Sequence, residues 1–370
     1  MTKLDALYLE HGQSAWVDNI RRDWLNDGTL QNLVDRGVRG VTSNPSIFAK
    51  AVASTDAYDA LIASLGTTDP EVAFEQLAVE DVRDACLILL PVYEASLRSL
   101  SSGERRSLDG YVSLEVSPRL AHDTEGTIAA AMRLAETLNT SPNLMIKIPA
   151  TKAGLPAISA VLAMGINVNV TLIFSLERYA EVLDAFVDGV ERAHASGIDV
   201  SKIASVASFF ISRVDTAIDP MLPEGSALRG VAAVAQAARA YDIFQDRIAS
   251  QRFKDILALG SQVQRPLWAS TSTKNAAYSD LLYVDTLVAS DTVNTLPDPT
   301  LEAYADHGNA ANSQLLDDAA RRKLGQKLDD LAAAGIDLVE VTQRLEDEGV
   351  AAFISSYDEL LATVTQKLRG

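Results

Sequence analysis

The chain has 370 residues, 48% of them hydrophobic and 22% charged, with a formal net charge of −18. That much apolar material fills a large core, and the acidic balance disfavours nucleic acid and anionic membranes as partners. No run of about 18 apolar residues offers a membrane span, and MTKLDALYLEHGQ at the start lacks the basic-then-apolar order of a signal peptide. The single cysteine, Cys86, excludes an intramolecular disulfide and fits a reducing compartment such as the cytoplasm. In DVRDACLILL it reads as a small buried hydrophobe on a helix. The histidines, at 11, 122, 194 and 307, lie far apart with no ligand-like spacing, so no metal site is expected from them. The same negative charge repels phosphorylated metabolites at long range, so a phosphate site requires a local cluster of basic groups.

In chain order, short β-type runs alternate with longer Ala-rich helical stretches, the pattern of βα units and a parallel sheet. The runs are Ser14–Asp18, Arg39–Ser43, Tyr111–Val116, Asn143–Ile148, Ile166–Thr171, Ile203–Ala207, Pro266–Ser270 and Thr292–Leu296. Eight runs with helices between them predict an α/β fold, a (β/α)8 TIM barrel spanning 1–370 as a single domain. Helices are predicted over Thr124–Leu138 and Leu176–Ala195 from i, i+3, i+4 apolar spacing. Additional helices are expected after the second strand (Val72–Leu100), before the seventh (Ala227–Ile256) and at the C-terminus. That last group divides into Ala310–Ala334, Asp337–Asp347 and Val350–Lys367. Arg105 and Arg106, in SSGERRSLDG, read as an exposed loop without a role.

Side chains alternate across a strand, so a barrel strand turns one set to the helices and the other to the interior. In NLMIKI, Leu144, Ile146 and Ile148 face the helices while Met145 and Lys147 face in. In YVSLEVS, Ser113, Glu115 and Ser117 face in; in INVNVT, Asn167, Asn169 and Thr171 do so. Three consecutive strands thus aim an acid, an amine and hydroxyl or amide groups toward the C-terminal mouth, where barrel enzymes carry their chemistry. A buried lysine needs a partner or must be neutral, and a neutral amine is the form that makes a Schiff base. Asp18 ends the first run and Asn44-Pro45 follows the second; a helix N-cap explains either position as well as catalysis does. After the sixth and seventh runs, Ser208, Arg213, Ser272 and Lys274 are placed to converge on one phosphate.

These residues resemble the transaldolase family. GVTSNPSIF (Gly40–Phe48) is similar to its N-terminal signature, NLMIKIPAT (Asn143–Thr151) to its active-site signature, and NVNVTLIFS (Asn167–Ser175) to the strand that follows. The resemblance covers most of the chain and looks closest to the longer subfamily seen in actinobacteria. It implies a cofactor-free barrel enzyme in which Lys147 forms the imine, Asp18 takes the proton from the donor's C4 hydroxyl, and Glu115 with Thr171 holds a catalytic water. Asn44, Asn169 and Ser208 would hold the dihydroxyacetone hydroxyls, and Arg213 with Ser272 the phosphate. The better-known transaldolases have arginine where this sequence has Lys274; lysine neutralises phosphate as a point charge, without the bidentate fork. The implied reaction converts sedoheptulose 7-phosphate and glyceraldehyde 3-phosphate to erythrose 4-phosphate and fructose 6-phosphate, in a monomer or homodimer. A simple aldolase of the same superfamily shares the motifs, but its members are much shorter chains.

Overall fold

The computed structural model describes residues 1–101 and 108–369; Arg105 and Arg106 lie outside the described residues. Among the described residues seven strands form one sheet: β1 (Gln13–Val17), β2 (Val112–Glu115), β3 (Leu144–Pro149), β4 (Val168–Ile173), β5 (Ser205–Phe210), β6 (Arg265–Ala269) and β7 (Thr292–Leu296). Their order is β1-β7-β6-β5-β4-β3-β2, and every pair is parallel. The strands are almost wholly buried, as sheets flanked by crossover helices must be.

The predicted run Arg39–Ser43 forms only isolated parallel bridges, from Val41 to Val17 of β1 and to Val112 of β2. Its backbone nevertheless bonds both ways. Thr42 N donates to Val17 O at 2.9 Å, and Val41 N to Tyr111 O at 2.9 Å. This segment therefore stands between the two edge strands of the seven-stranded sheet. Asn44 cuts it short by turning the chain into a helix (Pro45–Ser54), its Oδ1 accepting from Ile47 N at 3.0 Å with proline in the first turn.

Most predicted helices form with small changes of boundary, but the stretch expected over Ala310–Ala334 divides into a 3-10 turn, Ala310–Asn312, and two short helices, Asp318–Gly325 and Lys327–Ala333. Leu176–Ala195 is capped by Ser175, whose Oγ accepts from Arg178 N at 3.0 Å. It buries Tyr179, Val182, Leu183, Phe186, Val187 and Val190, one face of a 3.6-residue period. The helix after the second run spans Pro70–Ser101 and holds Cys86 buried. The stretch expected over Ala227–Ile256 is two helices, Ala232–Ala249 and Gln251–Ala258, because Ser250 leaves helical geometry and caps the second. Conversely, the last two expected helices are one, Leu338–Leu368. The two residues left between the expected helices, Glu348 and Gly349, continue the helix, and the glycine gives clearance: a Cβ there would lie 3.2 Å from Leu172 and 3.3 Å from Phe174. The helix thereby presses onto the C-terminal end of β4 and carries Phe353 over the strand ends. No helix among the described residues is long and apolar enough to cross a membrane.

Candidate active site

Strand register sets the centre of the site. Glu115 stands opposite Lys147, and Lys147 opposite Asn169, so the three side chains occupy one layer across β2, β3 and β4. Lys147 is 5% exposed. Its Nζ lies 3.3 Å from Glu115 Oε2 and donates to Ser43 O at 3.0 Å, with the Phe353 ring centroid 5.7 Å away. The amine is thus buried with a carboxylate beside it, which is how a charge is held out of water.

Burial pushes Glu115 up to about 7, and Asp18 adds to the effect, against the opposing pull of Lys147. Asp18 is also raised above the ordinary aspartate value by burial, with Lys147 and a hydrogen bond from Thr42 pulling the other way. Asp18 is not a helix cap, because the next helix begins at Arg22 and is preceded by Arg21. Its Oδ1 instead accepts from Thr42 Oγ1 at 2.7 Å, and Thr42 also meets Thr295 Oγ1 at 2.6 Å. Asn44 serves as the cap that its sequence suggests while also lining the cavity.

A cavity of about 330 Å³ opens at these strand ends. Eight of the ten residues singled out in the sequence line it: Asp18, Asn44, Lys147 and Thr171 on one part, Ser208, Arg213, Ser272 and Lys274 on another. Glu115 and Asn169 do not. Glu115 touches Lys147 from behind, and Asn169 has both amide atoms engaged in the wall, accepting from Ser208 Oγ at 2.7 Å and donating to Ser113 Oγ at 2.9 Å. Asn169 therefore orients Ser208.

The cation cluster required by the acidic surface is present. Lys274 Nζ donates to Ser272 Oγ at 2.7 Å. Arg213 forms no ion pair among the described residues, and its guanidinium lies 5.4 Å from the Phe210 ring; burial draws it below its ordinary value while Glu348 opposes. A half-buried arginine with no ion pair among the described residues is suited to an anionic ligand.

Sequence reasoning missed Thr42, Ser46, Lys50, Ser270, Thr295 and Phe353, which also line the cavity. Thr42 was within reach, since it shares a face with Asn44 in GVTSNP. Phe353 had no local signal, because it reaches the site only through the long C-terminal helix. No group of three or more His, Cys, Asp or Glu placed to hold a metal ion occurs among the described residues.

A parallel α/β sheet that aims a buried, carboxylate-paired lysine into a cavity lined by further cations is the framework of an enzyme using an amine on anionic substrates. The Transaldolase/Fructose-6-phosphate aldolase family matches residues 15–364. A transaldolase of Mycolicibacterium smegmatis is 51% identical over 358 residues, covering 95% of this chain and 93% of that protein. One of Mycobacterium leprae is 50% identical over 367 residues (96% and 94%), and one of Saccharopolyspora erythraea 49% over 373 residues (99% and 98%). The chain belongs to the transaldolase/fructose-6-phosphate aldolase family.

Proposed function

We propose that this protein is a transaldolase that moves a dihydroxyacetone unit from sedoheptulose 7-phosphate to glyceraldehyde 3-phosphate, giving erythrose 4-phosphate and fructose 6-phosphate. The observation that carries the reading is Lys147, buried beside Glu115 and open to a cavity with Arg213 and Lys274 on its wall. The reading places the chemistry in the cytoplasm, within one (β/α)8 domain over residues 1–370. In that barrel Arg39–Ser43 serves as the second of eight strands, supported by its hydrogen bonds to both neighbours.

The Lys147 amine adds to the donor's C2 carbonyl, and loss of water gives a protonated imine. Asp18 takes the C4 hydroxyl proton, the C3–C4 bond breaks, and its electron pair moves into the imine as the aldose phosphate leaves. A raised Asp18 makes the better base for this step. The resulting enamine attacks the aldehyde carbon of the acceptor, Asp18 returns its proton to the new hydroxyl, and water hydrolyses the imine. Thr171 Oγ1 is buried without a hydrogen-bond partner among the described residues, and Glu115 Oε2 has the Lys147 ion pair at 3.3 Å, which suits the pair to holding that water. Arg213, Ser272 and Lys274 hold the phosphate.

Mixing the protein with fructose 6-phosphate and reducing with borohydride tests the mechanism. A dihydroxyacetone-sized adduct mapped to Lys147 is the expected product, and folded protein without one removes the reading. Acceptor-dependent turnover then separates transfer from simple aldol cleavage, since the family's description covers both activities.

Glu115 supplies a second check. With its carboxyl pushed up to about 7, the steps that need the carboxylate slow as pH falls through that value. The rate is therefore expected to show an acidic limb near pH 7. Glu115→Gln is expected to lose about 10²- to 10⁴-fold in kcat and to lose that limb. A Gln variant that keeps the same limb assigns it to another group.

A further inference from the structure

The loop that carries Ser272 and Lys274 has few anchors. It runs from the end of β6 as irregular chain, and residues 274–277 are exposed. Its internal bonds are local: Lys274 to Ser272, Tyr278 N to Asn275 O at 3.1 Å, and Thr273 Oγ1 to Asp280 O at 3.2 Å. Past Thr271, its side-chain polar ties to the rest of the described residues are an exposed His307–Asp280 contact at 3.2 Å and one stronger bond. In that bond Tyr278 OH donates to Asp219 Oδ2 at 2.6 Å.

Asp219 follows the short helix Ser212–Ile218, which begins with Arg213's own turn. Asp215 and Asp219, one turn apart, are 2% and 9% exposed. Each accepts one tyrosine hydroxyl and one backbone N–H. Asp215 takes Tyr283 OH and Ala233 N, both at 2.8 Å; Asp219 takes Tyr278 OH and, at 2.9 Å, Gly230 N. Gly230 has φ +70°, and a Cβ there would lie 2.9 Å from Tyr278 Cζ, so the ring rests on bare backbone. The hydroxyl is therefore aimed by a flat seat as well as by its acceptor.

We propose that Tyr278 and Asp219 form a clasp that positions the Lys274 loop against the Arg213 helix, so that the two cations address one phosphate. Both are positioning residues, and neither lines the cavity. The inference rests on the reading of Arg213, Ser272 and Lys274 as phosphate ligands. A hydrogen bond to a carboxylate holds an otherwise loose segment more firmly than a neutral one does. Without it the loop samples positions in which Lys274 is out of reach, and binding weakens by the fraction of time the competent position is lost.

Tyr278→Phe removes the hydroxyl and keeps the ring on Gly230. It is expected to raise KM for fructose 6-phosphate about 5- to 20-fold and to weaken competitive inhibition by inorganic phosphate to the same degree, with kcat within about twofold. Borohydride trapping of dihydroxyacetone, which has no phosphate, should proceed at the wild-type rate. Asp219→Asn should act in the same direction, and the double variant should be no worse than the more impaired single one, as coupled partners require. Arg213→Ala is measured beside them. If it raises KM for fructose 6-phosphate and Tyr278→Phe does not, the clasp is wrong and the phosphate reading stands. If Arg213→Ala leaves that KM unchanged, the phosphate reading fails and the clasp with it. Equal losses with phosphorylated substrate and with dihydroxyacetone would mean a general structural role and overturn the proposal.

Discussion

Replacing Lys147 by alanine is expected to reduce dihydroxyacetone transfer by on the order of 10⁴-fold or more while leaving a folded protein. The covalent electron sink is lost entirely, and positioning by the remaining residues cannot replace it. The fold survives because the partner left behind adapts. Glu115 is pushed up to about 7 with the ammonium beside it, so without Lys147 it stays protonated at neutral pH instead of remaining as a lone buried charge. Ser43 O also loses its donor. Together these changes cost about 1–3 kcal/mol at pH 7. The cost depends on pH in a definite direction. A carboxyl raised in the folded state binds protons that the unfolded chain releases, so its stabilisation is complete below the unfolded value and falls as pH rises through the folded one. Denaturant melts of Lys147→Ala should therefore approach wild type near pH 6 and fall further behind near pH 8.5. Transfer at a near-wild-type rate by this variant would sink the catalytic assignment, whatever its stability.

The centre of this site was legible because β-strand geometry is simple. Alternation alone puts Glu115, Lys147 and Asn169 on inward faces, and parallel pairing then sets them in one layer. Local rules also serve Asn44, where the cap and the cavity wall are the same residue. They fail where contact is made across long sequence distances. Whether Asn169 faces a ligand or a neighbour depends on Ser113 and Ser208, each from a different strand. The last helix runs on through Glu348 and Gly349, where the missing side chain leaves room for Leu172 and Phe174 from a distant strand, so what local pattern left as a gap is a point of close packing. The same dependence hides Phe353 and the Tyr278–Asp219 bond. The strand predicted at Arg39–Ser43 shows a further limit. Composition gives the β-run, but Asn44-Pro45 starts a helix so soon that only bridges at Val41 remain.

At the opposite end of the sheet, Asp109→Asn is expected to cost about 3–5 kcal/mol of stability, the range for breaking a buried ion pair by removing one partner. Asp109 is 1% exposed and lies just before β2. It accepts from Trp16 Nε1 and Arg39 Nε, each at 2.9 Å, and from Ser14 Oγ, with Arg265 Nη1 3.7 Å away. Arg265, 3% exposed, also donates to Ser14 Oγ at 2.5 Å and to Thr292 O at 2.6 Å. The carboxylate therefore ties β1, the start of β6 and the Arg39 segment to the chain entering β2, and Arg265 extends the network to the start of β7. An asparagine keeps the shape but leaves two arginines facing a neutral amide. With about 2.1 cal/mol/K of unfolding entropy per residue, a chain of this length loses roughly 4–6 °C in Tm for that cost. Burial favours the neutral acid, but Arg265 and Arg39 outweigh it and hold the carboxyl below its ordinary value. A depressed carboxyl contributes stability that is full above the unfolded pKa and is lost as pH falls through the folded one. The gap between wild type and variant should thus be constant at neutral pH and close only in acid, below the ordinary aspartate range. Because the network lies at the N-terminal ends of the strands and the chemistry at the C-terminal ends, kcat and KM of the folded variant at 25 °C should match wild type. A variant that melts within about 1 °C of wild type would show that the arginines find other partners; altered kcat with unchanged Tm would mean that the two ends of the sheet are coupled.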